Sequence, residues 1–154
     1  MTESTDRIEK TIDLRAPLSR VWKAISDSKE FGTWFQMAVD GPFEAGRTVG
    51  MTITTPGAYQ GRRFEIRIER VEPETYLSYR WHPAAIEPNV DYSNEPTTLV
   101  EFRLESTPSG TRLHLVESGF DRIPAARRAN AFRMNDGGWA EQVKNIESYV
   151  AQHP

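Results

Sequence analysis

The chain ends in a helical pattern of unusual length, from about residue 125 to residue 152. A helix of that length spans roughly 42 Å, which is more than the width of a small domain. Large or apolar side chains recur along it at intervals of three and four: Phe132, Trp139, Val143, Ile146 and Val150. This spacing indicates one buried face, opposite a charged face that is exposed to solvent.

Two adjacent glycines, Gly137 and Gly138, lie inside this helical pattern. Each costs about 1 kcal/mol relative to alanine in a helix interior. Two explanations are open: a tight crossing or bend over a sheet, or room for a ligand beneath the helix. The same apolar face, extrapolated from Phe132 and Trp139, places Asp136 on the buried side. A buried carboxylate must be hydrogen-bonded, protonated or in a wet cavity.

The remaining pattern predicts a single α+β domain over residues 1–154. A curved antiparallel sheet wraps around the long C-terminal helix, and two short helices follow the first strand. A loop with three prolines, at 83–96, is a candidate lid or interaction tip. The predicted strands are 8–14, 48–54, 63–71, 76–82, 98–105 and 111–118, and the short helices are 17–26 and 29–35.

Composition excludes several classes of protein. The 19 basic and 22 acidic residues are mixed along the chain, so nothing indicates binding to nucleic acid. The absence of cysteine excludes disulfides and thiolate chemistry. No apolar run reaches the length of a membrane span, and the first residues lack the layout of a signal peptide. We therefore expect a cytoplasmic protein without membrane insertion.

Three sequence segments resemble a known superfamily. They are APLSRVWKAI at residues 16–25, VESGF at 116–120 and GW at 138–139. In this order they resemble the SRPBCC or START-like superfamily, with its helix-grip (Bet v-like) fold. Within it, they resemble the group named after the C-terminal domain of the activator of heat shock protein 90 ATPase. The resemblance implies a deep hydrophobic pocket between sheet and helix, and members that bind lipids, polyketides, hormones or other small apolar molecules.

Two carboxylates are expected at such a pocket. Glu117 continues the inward register of Leu113 and Leu115, and Asp136 approaches from the helix. They could act as acid and base, or anchor the polar group of a ligand. Alternatively, each is satisfied by the backbone, by Tyr79 or Trp81, or lies at the wet mouth of the pocket.

Aromatic side chains are the other candidate ligand contacts. Tyr79 and Trp81 share the inward face of their strand, and with Trp139 they could form an aromatic wall. Phe102, which points inward from the next strand, and Phe132 on the helix complete the predicted set. The alternative is that these residues are simply core.

No metal or cofactor is expected. His82 and His114 fall on the outward faces of their strands and His153 lies at the chain end. The sequence contains no nucleophile elbow, phosphate loop or dinucleotide fingerprint.

Three functions follow from these observations. The leading one is a non-catalytic binding protein for a small hydrophobic ligand, lipid-like or aromatic. The second is a cyclase- or hydrolase-type enzyme that uses Glu117 and Asp136. The third is a module that contacts a chaperone, which we expect less because the chain lacks the additional N-terminal domain of the eukaryotic activators. A homodimer is compatible with all three.

Overall fold

Seven antiparallel strands form one sheet in the order β1-β7-β6-β5-β4-β3-β2. The structure is a computed structural model that describes residues 5–87 and 89–154. The strands are β1 Arg7–Leu14, β2 Met37–Val39, β3 Thr48–Ile53, β4 Arg63–Glu72, β5 Tyr76–Trp81, β6 Thr98–Thr107 and β7 Gly110–Ser118. The helices are α1 Leu18–Ser26, α2 Ser28–Phe35 and α3 Ala125–Gln152.

One face of the sheet is buried beneath the helices. Alternate residues of β7 point to that face, so that Leu113, Leu115 and Glu117 are all buried. The inner face of α3 buries Ala131, Trp139, Ile146 and Val150. This arrangement confirms the predicted α+β class and its helix-grip form, with a curved sheet around a long terminal helix.

Two short elements were not predicted. The strand β2 has only three residues and pairs with β3. A 3-10 turn, Phe120–Arg122, follows the left-handed residue Gly119 (φ 106°) and joins β7 to α3. Such short segments carry too few residues for a periodic hydrophobic pattern.

The adjacent glycines of α3 lie in open space. A Cβ atom built at Gly137 or at Gly138 would meet no other atom within 4 Å, and both residues are exposed. The explanation by a tight crossing over the sheet is therefore wrong. The helix continues through both residues without interruption.

Large aromatic rings fill the space between the sheet and the helices. Phe31 lies at the centre of this core, with ring centroids of neighbours between 4.7 and 6.5 Å away; they belong to Trp34, Phe35, Phe43, Tyr79 and Phe102. Among the described residues, the gap beneath Trp139 and Phe102 holds no water-sized space. Packed side chains therefore fill this part of the interior, where the resemblance implies a deep pocket.

Candidate ligand-binding site

The buried carboxylate of Glu117 is the polar centre of the site. It is fully buried and accepts hydrogen bonds from four side chains. The indole nitrogens of Trp81 and Trp139 donate at 2.7 and 2.8 Å, and the Thr98 hydroxyl donates at 2.5 Å. The amide nitrogen of Asn135 lies 2.9 and 3.1 Å from the two carboxylate oxygens. Three strands and α3 therefore meet at this one group.

The strand register explains why these side chains converge. Trp81, the last residue of β5, is paired with Thr98, the first residue of β6. Glu117 lies near the end of β7, directly opposite Val100. Asn135 and Trp139 are four residues apart, so they share one face of α3. Three strand ends and one turn of α3 thus bring four distant segments of the sequence to a single point.

The partners of Glu117 suit an ionised carboxylate. Indole and amide N–H groups can only donate, and an ionised carboxylate can only accept. Within the described part of the chain, no lysine, arginine or histidine forms an ion pair with Glu117. The negative charge is therefore compensated by neutral dipoles alone, which also fix the orientation of both indole rings.

Tyr79 lies in the same row of the sheet. Tyr79 pairs with Val100, and Val100 pairs with Glu117, so all three side chains point to the buried face. The hydroxyl of Tyr79 is buried and has no hydrogen-bond partner among the described residues. Burial raises the pKa of Tyr79 well above its usual value, and the charge of Glu117 adds to the rise. This hydroxyl therefore stays protonated in the folded protein.

Two small clefts open above the Glu117 cluster. Each has a volume of about 150 Å³, and both are lined by Met37, Trp81 and Asn135. The helix-side cleft adds Phe35, Gly138, Trp139 and Gln142. The loop-side cleft adds Ile53, Phe64, His82, Ala84, Ala85, Ile86 and Met134. Neither lining contains an aspartate, glutamate, lysine or arginine.

The segment between β5 and β6 covers the loop-side cleft. Arg127 of α3 holds this segment at both ends: its Nε donates to Glu95 at 2.7 Å and its Nη1 donates to the Pro83 carbonyl at 2.9 Å. The guanidinium also lies 4.8 Å from the centre of the Tyr92 ring. A wider cleft of about 550 Å³ lies between this segment and the start of β4, but it is lined by charged residues that include Arg62, Arg63, Glu65 and Asp91.

Comparison with known proteins assigns the family. The model of a family described as "Activator of Hsp90 ATPase homolog 1-like protein" matches residues 15–151. The chain belongs to this family. No curated protein matches the sequence. The match includes every residue of the Glu117 cluster.

Solved structures of proteins from several bacteria share the fold of this chain. Protein MLL2253 from Mesorhizobium loti is 25% identical, with 96% of this chain and 98% of that chain covered and a TM-score of 0.75. A protein from Arthrobacter aurescens is 14% identical over 98% and 90% of the two chains, with a TM-score of 0.78. Protein NE0264 from Nitrosomonas europaea is 16% identical over 100% and 99%, with a TM-score of 0.73.

The predicted contact residues of this family member separate into three groups. Trp81 and Trp139 line the clefts, and Glu117 lies directly beneath them. Tyr79 and Phe102 are buried in the packed aromatic core and line neither open cleft. For these two residues the structure matches the alternative that they are core.

Two predicted residues lie elsewhere. Asp136 points away from the clefts, and its side chain is 50% exposed and pairs with Lys10 of β1 at 2.9 Å. The expectation that Asp136 faces the buried side was wrong, because Asn135 occupies that face. Phe132 is half-buried against Phe120, with 5.1 Å between ring centroids, and lines neither cleft.

Several lining residues were not predicted. Met37 belongs to the unpredicted strand β2, and Phe64, Ile53, Met134 and Gln142 carried no distinguishing signal. Asn135 could have been found, because it precedes Trp139 by four positions and therefore lies on the same helix face. His82 was placed on the outward face of its strand, yet it lines the loop-side cleft just beyond the end of β5.

The chemistry that this arrangement supports is limited. Glu117 and Asp136 bind different partners, so the two-carboxylate acid–base pair is not formed. Within residues 5–87 and 89–154, no group of three His, Asp or Glu side chains is placed to hold a metal ion. In the same residues, no helix is long and apolar enough to cross a membrane.

Proposed function

We propose that this protein binds a small, largely apolar molecule across the helix-side and loop-side clefts. The observation that carries the proposal is the Glu117 cluster, which fixes two tryptophans at the floor of adjoining apolar clefts. Each cleft alone is smaller than typical ligand pockets, which begin at roughly 300 Å³. A ligand would therefore span both clefts along the side chains that they share.

The buried charge supports a binding role over a purely structural one. Burying an ionised carboxylate without a cation is unfavourable unless hydrogen bonds compensate for the lost hydration. An apolar residue at position 117 would pack without that penalty. Glu117 instead orients the rings of Trp81 and Trp139, and rings held in fixed positions lose little freedom when a ligand binds.

The other two functions have less support. The enzyme hypothesis needs two titratable groups at one substrate position, and Asp136 lies outside the site. The family description also names activation of the Hsp90 ATPase. Among the described residues, the large exposed hydrophobic side chains are Tyr59 and Val90. Two side chains fall short of the broad apolar patch that marks a protein interface.

The adjacent glycines provide a matched test. Gly138 lines the helix-side cleft and Gly137 does not, although both have open space at the Cβ position. We expect Gly138→Leu to fill the cleft and abolish binding, whereas Gly137→Leu should bind like the native protein. Both variants should unfold at a higher denaturant concentration, because glycine costs about 1 kcal/mol in a helix interior.

Binding is measured by titrating ¹⁵N-labelled protein with benzyl alcohol, an aromatic probe, and with 1-octanol, a lipid-like probe. The indole N–H signals of Trp81 and Trp139 report the site directly. Loss of the shifts in Gly138→Leu alone supports the proposal. Equal binding by both variants places the site elsewhere, and no shift with either probe in the native protein contradicts the proposal.

A further inference from the structure

The imidazole ring of His82 carries a polar atom that the protein leaves unpaired. Its Nδ1 is buried and forms no hydrogen bond within the described part of the chain. The other polar side chains of the loop-side lining are Trp81 and Asn135, and both donate their N–H groups to Glu117. A buried polar atom without a partner is unfavourable and calls for an explanation. A ligand that supplies the missing partner would provide one.

His82 lies where two clefts of different character adjoin. The loop-side cleft is mostly apolar, the wider cleft has a charged lining, and the two share Phe64, His82, Ala85 and Ile86. A ligand group that pairs with Nδ1 therefore lies at the boundary between an apolar floor and a polar mouth. Because Nδ1 is closed to solvent, the segment that covers the loop-side cleft must move outward for a ligand to reach it.

The charges around His82 favour an uncharged ligand group. Neither small cleft has a charged lining, so an ion of either sign would lose hydration there without a partner. Glu117 is no partner for a cation, because it is buried and already bonded to four side chains. The wider cleft carries charges of both signs and gives neither an advantage; its charged residues are Arg62, Arg63, Glu65, Glu87 and Asp91.

The ring edges at the clefts favour an electron-rich atom. Trp81 and Trp139 direct their N–H edges to Glu117, which leaves the opposite C–H edges of the rings at the clefts. Aromatic edges are positively polarised, so they attract an oxygen atom more than an ammonium group.

A hydroxyl group meets these requirements. In a neutral imidazole, Nδ1 is either a donor or an acceptor, depending on the tautomer. A hydroxyl both donates and accepts, so it pairs with Nδ1 in either tautomer, whereas a carbonyl or ether oxygen pairs only with an N–H group.

We propose that the ligand carries an uncharged hydroxyl group on its apolar body, as in an alcohol or a phenol, and that Nδ1 of His82 is the hydrogen-bond partner of this group. The inference rests on the proposed binding function and defines the chemical class of its ligand. The apolar body lies across the two small clefts, and the hydroxyl lies at the boundary with the wider cleft. His82 thereby selects hydroxyl-bearing molecules over hydrocarbons of similar shape.

Four probes that share a phenyl ring test the polar group. Benzyl alcohol carries the hydroxyl, toluene lacks it, benzylammonium is a cation and benzoate is an anion. Each is titrated into ¹⁵N-labelled native protein while the indole signals and the Nδ1 signal of His82 are followed. Toluene is the most apolar probe, so apolar contact alone would favour it. We expect benzyl alcohol to bind at least as tightly as toluene and about tenfold more tightly than either ion.

The outcomes separate this inference from the proposed function. Benzyl alcohol should also shift the Nδ1 signal of His82, which toluene should leave in place. If toluene binds more tightly than the alcohol, or if an ion binds as tightly, the hydroxyl inference is wrong while the binding function stands. If none of the four binds, both are wrong.

Substitutions of His82 test its role. His82→Phe keeps a ring without nitrogen, so benzyl alcohol should bind about tenfold more weakly while toluene binds as before. His82→Asn keeps a polar atom close to the position of Nδ1 and should restore part of the preference for the alcohol. The control is His114→Phe on the outer face of β7, where the ring nitrogens lie beside Thr11 and Glu105. This variant should bind both probes like the native protein.

The ratio of the two affinities decides the role of His82. A ratio of alcohol to toluene affinity that is unchanged in a folded His82→Phe variant overturns the inference. Should that variant fail to fold, the four-probe titration and the Nδ1 signal of the native protein decide alone.

Discussion

At the scale of single residues, Glu117 is the group on which most side chains depend. Its oxygens accept from Trp81, Thr98, Asn135 and Trp139. Glu117→Gln replaces one acceptor with an NH₂ donor that faces donors. Because a buried unpaired polar group costs about 1–3 kcal/mol, we expect a loss of roughly 3 kcal/mol in the free energy of unfolding. Urea denaturation followed by tryptophan fluorescence measures it.

The control for this prediction is Glu105→Gln. Glu105 also loses a carboxylate, but its side chain is 54% exposed and its partners are the exposed side chains of Arg112 and His114. Exposed ion pairs contribute little, so its unfolding curve should coincide with that of the native protein. If both variants lost the same free energy of unfolding, the loss in Glu117→Gln could not be assigned to the hydrogen bonds of the buried cluster.

At the scale of elements, Arg127 connects α3 to the segment that covers the loop-side cleft. It contacts Pro83, Tyr92 and Glu95. We expect Arg127→Ala to raise amide hydrogen exchange in residues 84–87 and 89–95 about tenfold, because a charge-assisted hydrogen bond contributes about 1.5 kcal/mol. Hydrogen exchange with mass spectrometry measures this. The control is Arg133→Ala, which removes an exposed arginine of the same helix and should leave exchange unchanged. Unchanged exchange in Arg127→Ala as well would mean that other contacts hold the segment.

The elements also show how far sequence reasoning reaches. The bounds of α3 were predicted correctly, because 28 residues give a strong periodic signal. The facing residue was wrong by one position: Asn135 and Asp136 lie four and three residues before Trp139, and both intervals return to nearly the same helix face. Only their contacts with other side chains distinguish the two residues: Asn135 donates a hydrogen bond to Glu117, and Asp136 forms an ion pair with Lys10.

At the scale of the whole molecule, the fold followed from alternation and order, whereas the shape of the cavity did not. The inward register of Glu117 could be read from Leu113 and Leu115. Whether the inward aromatic rings leave a cavity depends on their rotamers and on distant partners such as Phe31. A one-dimensional pattern contains neither. The same packing that closes the deep pocket also buries the Tyr79 hydroxyl, and this has consequences for stability.

The free energy of unfolding should fall steeply above about pH 10. Burial raises the pKa of Tyr79, Tyr76 and Tyr149 in the folded protein, and the Tyr79 pKa is raised most clearly. In the unfolded chain tyrosine loses its proton near pH 10, while folded Tyr79 retains it. The unfolded state then binds fewer protons, so stability present below pH 10 is lost as the pH rises. The acid side should be flatter, since the lowered pKa values of Asp13 and Asp91 belong to fully exposed groups.

Tyr79→Phe tests this linkage directly. Its hydroxyl has no partner among the described residues, so at pH 7 the variant should be as stable as the native protein or slightly more stable. Between pH 10 and pH 11 the stability of the variant should fall less steeply. Urea unfolding at each pH gives both curves. Parallel curves would mean that the buried tyrosine does not control alkaline unfolding. Curves that diverge only above pH 10 would show that deprotonation of the Tyr79 hydroxyl, in the same row of the sheet as Glu117, drives the loss of stability.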